Sequence, residues 1–205
     1  MTRLSILVTA GPTYEPIDPV RFISNRSTGA MGVAISACAK KRGHKVYLIG
    51  PGENLTTIQM QKKVIAKFNA TDAVVIAAAA ADYRPEKISL SKIKKSTKIL
   101  NLKLVKNPDI LAGLGKIKKG KILVGFALET ENLYKNALGK LKSKKLDFIV
   151  ANKLNKKQNV FGDNKTSVLI IDKTGDKEFL RNISKKAVAE NIIKRIERMA
   201  TYPSG

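Results

Sequence analysis

Five short apolar runs, separated by segments with helical spacing, constrain the fold of this chain most. The runs are continuous, as in strands that are covered on both faces of a parallel sheet; they span residues 4–9, 46–50, 73–79, 122–128 and 147–152. The helical segments span residues 31–42, 56–68, 108–117 and 131–144, and Gly43 can close the first. Strand and helix therefore alternate, which predicts an α/β fold with a Rossmann-like, doubly wound and mostly parallel sheet.

Two segments break this alternation. Residues 86–106, EKISLSKIKKSTKILNLKLVK, are expected to leave the sheet as a flexible, lysine-rich flap. Residues 167–180 contain the turn sequence KTGD between two strand-like runs, which predicts a C-terminal hairpin, and a closing helix over 184–199 follows it. Because there is no internal repeat or clear linker, residues 1–205 are predicted to form one domain.

Charge and composition limit the classes of protein. The formal net charge of +23 attracts nucleic acid, anionic membranes and phosphorylated metabolites alike. The lysines are spread along the chain, without an aromatic RNA-binding strand, a zinc-ligand set or a long basic tail, so we expect no nucleic-acid partner. No apolar run reaches the roughly 18 residues of a membrane span, and no secretory signal is visible. Together with the single cysteine, this predicts a soluble, cytoplasmic protein without a membrane partner.

Polar residues follow several of the apolar runs, where the predicted strands end. They include the long stretch 10–32 after the first run, Asp82 after the third and Glu129 after the fourth. Ligands of open parallel sheets bind outside the carboxyl ends of the strands. We therefore expect these segments to converge on one cleft.

Gly29 and Gly32 stand at the start of the first predicted helix, whose free N–H groups and positive dipole end suit a phosphate. Thr28 or Ser27 can cap this helix. The spacing is not a G-x-G-x-x-G directly after the strand, and no acidic residue closes the second strand to hold a ribose, so a dinucleotide site is weakly supported. The alternative is that the small residues allow close packing of the helix on the sheet, and this segment alone leaves both open.

Arg21 and Asn25 lie in the same long stretch. A guanidinium can grip a phosphate or a carboxylate, and an amide can both donate and accept, but Asn25 can equally cap a turn. Asn107, Pro108 and Asp109 have the pattern of an N-cap, a first-turn proline and an acidic first-turn residue. Such a helix start can also bind an anion or a ribose. Physical reasoning on the sequence does not choose between a purely structural role and a binding role.

Lysines offer cations for a polyphosphate. Lys140 and Lys144 share one helical face, and Lys92, Lys94 and Lys95 lie in the lysine-rich segment. Charged runs are usually solvated surface, yet a triphosphate needs several cations, and a lysine on a mobile segment can close over it.

Two residues are predicted to be structural. His44 has no neighbouring ligands, so no histidine metal site or catalytic triad is expected. Cys38 lies among small apolar residues and is predicted to be packed rather than nucleophilic.

Seven segments occur together in one order: TAGPTYEPIDPVRFISNRSTGAMG, AAAADYRPEK, KIKK, VKNPDIL, VGFALET, LDFIVANK and FGDNKTSVLII. In this order they resemble the phosphopantothenate–cysteine ligase family, bacterial CTP-dependent type, over essentially the whole chain. In many bacteria this unit is the C-terminal half of a bifunctional coenzyme A biosynthesis protein whose N-terminal half is a flavin-dependent decarboxylase. The present sequence lacks that half, so the resemblance implies either a free-standing ligase, with a separate decarboxylase as a partner, or an excised domain.

The resemblance implies a reaction in two steps. The carboxylate of 4′-phosphopantothenate is activated with CTP and Mg²⁺ to an acyl-cytidylate, and the amine of cysteine then attacks. It also implies a homodimer with active sites near the subunit interface. It does not identify the metal ligands.

The resemblance also implies functional residues. Asn25 matches the asparagine that handles the acyl-nucleotide during amide formation, Arg21 matches its partner arginine, and Lys92 matches a lysine of the first step. The implied nucleotide-binding residues are Ala77, Ala78, Asp82, Lys92, Pro108, Asp109, Ile110, Leu111, Phe126, Lys140 and Lys144. The implied substrate-binding residues are Gly11, Arg21, Asn25 and Gly29.

Two other classes of function remain as alternatives. The strand–glycine–helix opening is compatible with an NAD(P)-dependent oxidoreductase, and the net charge is compatible with a basic nucleic-acid-binding module. Physical reasoning on the sequence does not choose CTP over ATP, because base selection depends on backbone groups.

Overall fold

The computed structural model describes residues 2–95, 98–154 and 165–202. The strands are β1 (Ser5–Thr9), β2 (Tyr14–Pro16), β3 (Phe22–Ser24), β4 (Lys45–Ile49), β5 (Ala73–Ile76), β6 (Tyr83–Pro85), β7 (Leu104–Lys106), β8 (Ile122–Glu129), β9 (Phe148–Lys153), β10 (Thr166–Asp172) and β11 (Lys177–Ile183). The helices are α1 (Ala30–Lys41), α2 (Thr57–Phe68), α3 (Ile110–Ile117), α4 (Leu133–Ser143) and α5 (Lys185–Thr201). Residues 161–164, the first four of the segment FGDNKTSVLII quoted above, lie outside the described residues.

A seven-stranded sheet has the order β11-β10-β9-β8-β5-β1-β4. The strands β4, β1, β5, β8 and β9 are parallel, with Ile6 of β1 opposite Val46 on one side and Ala73 on the other. β10 runs antiparallel to β9, and β11 runs antiparallel to β10 at the edge of the sheet. The predicted doubly wound, mostly parallel α/β sheet and its C-terminal hairpin are therefore confirmed.

Apolar side chains cover both faces of the sheet. Leu7, Val74 and Leu123 lie in one core cluster with residues of α2, α3 and α4. Ile6, Val75 and Val124 lie in a second cluster with residues of α1 and α5. Successive residues of a strand point to opposite faces, so a strand covered on both faces is apolar at every position. This accounts for the continuous apolar runs in the sequence.

Two predicted helix starts are wrong in detail. The N-cap position of α1 is Gly29 in the left-handed conformation, although the hydroxyls of Thr28 and Ser27 accept from the amides of Ala30 and Gly29 at 3.4 and 3.3 Å. The N-cap of α3 is Asp109 rather than Asn107, because the Asp109 carboxylate accepts from the Ala112 amide at 2.9 Å, whereas the Asn107 side chain donates to the carbonyl of Ala81. Gly43 does follow the end of α1 with a φ of 86°, as predicted.

The third predicted strand, 73–79, ends early at Ile76. Alanine contributes little to strand propensity, and Ala77, Ala78 and Ala79 instead leave the sheet to line a cavity. The lysine-rich segment does leave the sheet, but it returns in β7, which pairs with β6 in a small ribbon; β2 and β3 form a second ribbon. Neither ribbon was expected from the sequence, and the flexibility of the segment stays a prediction.

None of the helices in the described part of the chain combines the length and the apolar character that crossing a bilayer requires.

Candidate active site

Two adjoining cavities lie at the carboxyl ends of the parallel strands. The larger has a volume of about 470 Å³ and the smaller about 210 Å³. They share the wall residues Ala78, Ala79, Ala80, Asp82 and Phe126. The expected convergence of loop segments at this edge of the sheet is therefore present.

The segment after β5 forms the shared wall, and its backbone is fixed by the first strand and its loop. The Ala78 amide donates to the hydroxyl of Thr9 at 3.2 Å, and the Ala79 amide donates to the carbonyl of Gly11 at 2.9 Å. The short alanine side chains take up little space between the backbone and the cavities. A flat ligand can therefore approach the backbone closely here.

A buried polar network, which the sequence did not reveal, supports the far end of this wall. Glu15 is 1% exposed and accepts from both the amide and the hydroxyl of Thr57, at 2.8 and 2.7 Å. Because the Thr57 hydroxyl gives its proton to Glu15, it accepts from the hydroxyl of Thr13 over 2.9 Å. The Thr13 hydroxyl also accepts from the amide of Ala81 at 2.9 Å. The network joins β2, the start of α2 and the cavity wall.

Asn25 lies at the larger cavity and is bonded to the shared wall. Its side-chain amide donates to the carbonyls of Ala79 and Ala80, at 3.3 and 3.0 Å. These bonds connect residues 54 and 55 positions apart, so the alternative of a local turn cap is wrong. Asn25 therefore presents a fixed side chain where the two cavities meet.

The smaller cavity contains most of the predicted nucleotide residues. Lys140 bonds Glu129 at 2.6 Å, and Lys144 bonds Asp109 at 2.8 Å. Burial opposes ionisation of both carboxyl groups, but hydrogen bonds from the lysines, from Asn136 at Glu129 and from backbone amides at Asp109 together lower the pKa of both groups. The lining residues are Ile76, Ala78, Ala79, Ala80, Ala81, Asp82, Asn107, Pro108, Asp109, Ile110, Leu111, Phe126, Lys140 and Lys144.

The glycines after β1 serve close packing. A Cβ on Gly32 would lie 2.4 Å from the Cβ of Ala10, and one on Gly29 would lie 2.9 Å from the amide nitrogen of Gly11. The packing alternative is thus confirmed for these positions. Gly29 also lines a cavity of about 70 Å³ with Ala77 at the start of α1, which leaves its role in substrate binding a prediction.

Arg21 and Lys92 are not brought to these cavities. The Arg21 guanidinium is bonded to Asp18 and to the carbonyl of Ile93, and Lys92 is exposed on the lysine-rich segment. Of the three predicted catalytic residues, only Asn25 lines either cavity. His44 and Cys38 lie elsewhere: His44 is buried against Glu197, and Cys38 packs against the core, where burial raises the pKa of its thiol.

Residues 1–199 match the family described as the DNA/pantothenate metabolism flavoprotein C-terminal domain. The chain belongs to this family.

Curated relatives of this flavoprotein C-terminal domain have two different names. A coenzyme A biosynthesis bifunctional protein CoaBC of Borreliella burgdorferi is 43% identical over 205 residues, which cover 92% of this chain and 51% of the relative. A cysteine/cysteine sulfinic acid decarboxylase of an unknown prokaryote is 40% identical over 93% of this chain and 57% of the relative. The chain thus spans about half the length of these relatives, and each name describes the longer protein.

A solved structure matches the domain along nearly its whole length. The crystal structure of the C-terminal domain of a coenzyme A biosynthesis bifunctional protein CoaBC is 35% identical, with a TM-score of 0.79 over 97% of this chain and 96% of that domain. The α/β architecture is therefore that of the flavoprotein C-terminal domain.

Proposed function

We propose that this chain is a phosphopantothenate–cysteine ligase of coenzyme A biosynthesis that uses CTP. In the first step a carboxylate oxygen of 4′-phosphopantothenate attacks the α-phosphorus of CTP, and pyrophosphate leaves. In the second step the amine of cysteine attacks the acyl carbon, an amide forms, and cytidine monophosphate and a proton leave. Activation is needed because a free carboxylate is a poor acyl donor.

The observation that carries the proposal is that Asn25 is bonded to the wall shared by two adjoining cavities. A two-step ligation needs a nucleotide and an acyl substrate side by side, with the reacting atoms held at about 3 Å. An amide at that junction can donate to an oxygen of the acyl phosphate. The relatives named for coenzyme A biosynthesis support the same function.

The smaller cavity suits the nucleotide. It has an apolar and aromatic wall at Ala78, Leu111 and Phe126 for a flat base, and two cations at Lys140 and Lys144 for phosphates. The larger cavity adjoins it and is left for phosphopantothenate. The choice of CTP over ATP as the nucleotide rests on the resemblance to the bacterial ligase family.

We infer that Mg²⁺ enters with the nucleotide. In the described part of the chain no group of three or more His, Cys, Asp or Glu side chains is arranged to hold a metal ion. Mg²⁺ is usually held by one or two carboxylates together with substrate phosphates and water. Asp82, which lines both cavities, fits as that carboxylate, and the ion would supply charge neutralisation of the phosphates.

We also infer a homodimer. A surface formed by the two ribbons and the lysine-rich segment exposes large apolar side chains, and β2 contacts β6. These side chains are Val20, Phe22, Tyr83, Ile88, Leu90, Ile99, Leu100, Leu102 and Leu104. Exposed apolar surface on this scale marks an interaction site, and a second copy of the chain is the partner implied by the family resemblance.

The remaining partners follow from the same resemblance. We propose that the protein works in the cytoplasm and receives or passes on substrates in company with a decarboxylase, whether fused or separate. No nucleic-acid partner is proposed.

The test is a direct assay. Incubation with 4′-phosphopantothenate, cysteine, CTP and Mg²⁺ should release pyrophosphate and cytidine monophosphate and give the amide product by mass spectrometry. Adding ATP in competition tests the choice of base. Absence of pyrophosphate release under these conditions, or tight NAD(P) binding without CTP binding, would contradict the proposal.

A further inference from the structure

The turn between β2 and β3 holds the lysine-rich segment through a buried carboxylate. The side chain of Asp18 is fully buried. One carboxylate oxygen accepts from the amides of Val20 and Arg21, at 2.8 and 2.9 Å. The other accepts from Nε of Arg21 at 3.0 Å and from the amide of Ile93 at 3.1 Å. Asp18 therefore binds its own turn and a segment 75 positions away at once.

Arg21 completes this attachment. Its terminal guanidinium nitrogen donates to the carbonyl of Ile93 at 2.8 Å, so both backbone polar groups of Ile93 are bonded to the turn. The amide of Ser89 also donates to the carbonyl of Ile17 at 3.0 Å. A guanidinium already engaged in this way is poorly placed to grip a substrate.

The attachment is charged under ordinary conditions. The hydrogen-bonded Arg21 guanidinium outweighs the effect of burial and holds the pKa of the Asp18 carboxyl well below its usual range. The carboxylate therefore stays ionised from mildly acidic to alkaline pH. Ile93 lies between Lys92 and Lys94, so the bonded residue is flanked by exposed cations on both sides.

We propose that Asp18, acting through Arg21 and Ile93, is a positioning residue that sets where Lys92 and Lys94 stand relative to the nucleotide. The proposal rests on the ligase function and deepens it. Displacing a catalytic group by about 1 Å can lower the rate on the order of 100-fold. A lysine on a long segment outside the sheet therefore needs a contact that fixes its position. Arg21 then contributes through this attachment and not by contact with the acyl-nucleotide.

The experiment compares Asp18→Asn with the unmodified chain. Either orientation of the new amide turns an NH₂ group toward N–H donors, so one set of bonds is lost. We expect hydrogen exchange at the amides of Ile93 and Ser89 to accelerate about tenfold or more. We also expect kcat for phosphopantothenate-dependent pyrophosphate exchange into CTP to fall by about tenfold or more, while the Kd for cytidine monophosphate changes by less than about twofold.

Glu86→Gln is the matched control. It removes an exposed ion pair with Lys103 on the same segment but does not touch the turn, and it should change neither hydrogen exchange at Ile93 nor kcat. General destabilisation by Asp18→Asn would instead weaken cytidine monophosphate binding together with kcat.

If Asp18→Asn does not fold, Arg21→Lys carries the same test, because it keeps a cation beside the buried carboxylate but loses the guanidinium fork that also bonds the carbonyl of Ile93. Unchanged hydrogen exchange at Ile93, or unchanged kcat, in a folded variant overturns the positioning role alone. An unmodified protein that gives no pyrophosphate exchange overturns the ligase function on which this inference rests.

Discussion

At the scale of single residues, the site consists of polar groups held by backbone contacts from distant parts of the chain. Asn25 is the clearest case, because its amide is fixed by two carbonyls of the cavity wall. Lys140 and Lys144 differ from Asn25, because each ammonium group is paired with a carboxylate side chain and not with backbone groups. A polyanion entering the smaller cavity must therefore compete with Glu129 and Asp109.

The first prediction concerns Asn25. Asn25→Ala removes the amide from the junction of the cavities but leaves both lysines in place, so pyrophosphate exchange into CTP should persist while amide formation falls by roughly 100-fold or more. Acyl-cytidylate should accumulate and be visible by mass spectrometry. Lys92→Gln should instead fail at the exchange step, and Asn69→Ala, at the end of α2, is a control with no expected effect. Normal turnover in both Asn25→Ala and Lys92→Gln would contradict the assignment.

The second prediction concerns the pairing of Lys140. Glu129→Gln removes a negative charge bonded to Lys140 at 2.6 Å, and the freed cation should bind phosphate more strongly. We expect the Kd for CTP to fall by about threefold to tenfold, a modest effect because Lys140 is partly exposed to water. Calorimetric titration without metal measures it. Weaker CTP binding would mean that Glu129 serves the nucleotide rather than restraining the lysine.

At the scale of elements, the position of α1 on the sheet depends on glycine. Gly32 lies where the helix crosses the end of β1, and a Cβ there would come within 2.7 Å of the carbonyl oxygen of Thr9. That approach is closer than any side chain accepts without movement of the backbone. The position of the start of α1, and of the Asn25 loop that precedes it, therefore depends on the absence of a side chain at Gly32.

The third prediction follows from this packing. Gly32→Ala should push α1 off the sheet and lower the free energy of unfolding by roughly 1–3 kcal/mol, the usual cost of overpacking. Gly113→Ala in α3 is the matched control, since the nearest atom to its Cβ would lie 4.0 Å away and alanine is the better helix former by about 0.5–1 kcal/mol. Thermal or urea unfolding should thus move in opposite directions for the two variants. Equal stability of Gly32→Ala and the unmodified chain would refute the packing argument.

Elements were predictable from the sequence where local pattern determines them. The apolar runs predicted the parallel strands, and the spacing of Lys140 and Lys144 predicted that both lie on one side; Lys140 in α4 and Lys144 at its C-cap both line the smaller cavity. Contacts between remote segments were not predictable: Glu15 meets Thr57 across 42 positions, and Asp18 meets Ile93 across 75. The start of α3 was misplaced for the same reason, because Asn107 bonds to Ala81 rather than to its own helix.

At the scale of the whole molecule, the exposed apolar side chains are concentrated on the ribbons and the lysine-rich segment, while the central sheet exposes Leu128 and Phe179. The sheet is covered by helices on both faces. Leu90, which is 96% exposed, has almost no contact area within its own chain. Its burial requires another molecule.

The fourth prediction tests the homodimer. Leu90→Glu places a charge on the apolar surface and should shift the protein from dimer to monomer in analytical ultracentrifugation, without lowering the unfolding temperature of the monomer. Ile65→Glu, a half-exposed position on α2 outside that surface, should leave the sedimentation unchanged. A Leu90→Glu protein that sediments like the unmodified chain would rule out this surface as the interface.

The hairpin that ends the sheet has a consequence for assembly. Its outer strand, β11, has no partner on one side among the strands that the structure describes, and it carries Lys177, Glu178 and Arg181 along its length. Charged side chains on an open edge discourage a further strand from adding there. The charged β11 edge thus disfavours the joining of two copies of this chain sheet to sheet at this strand.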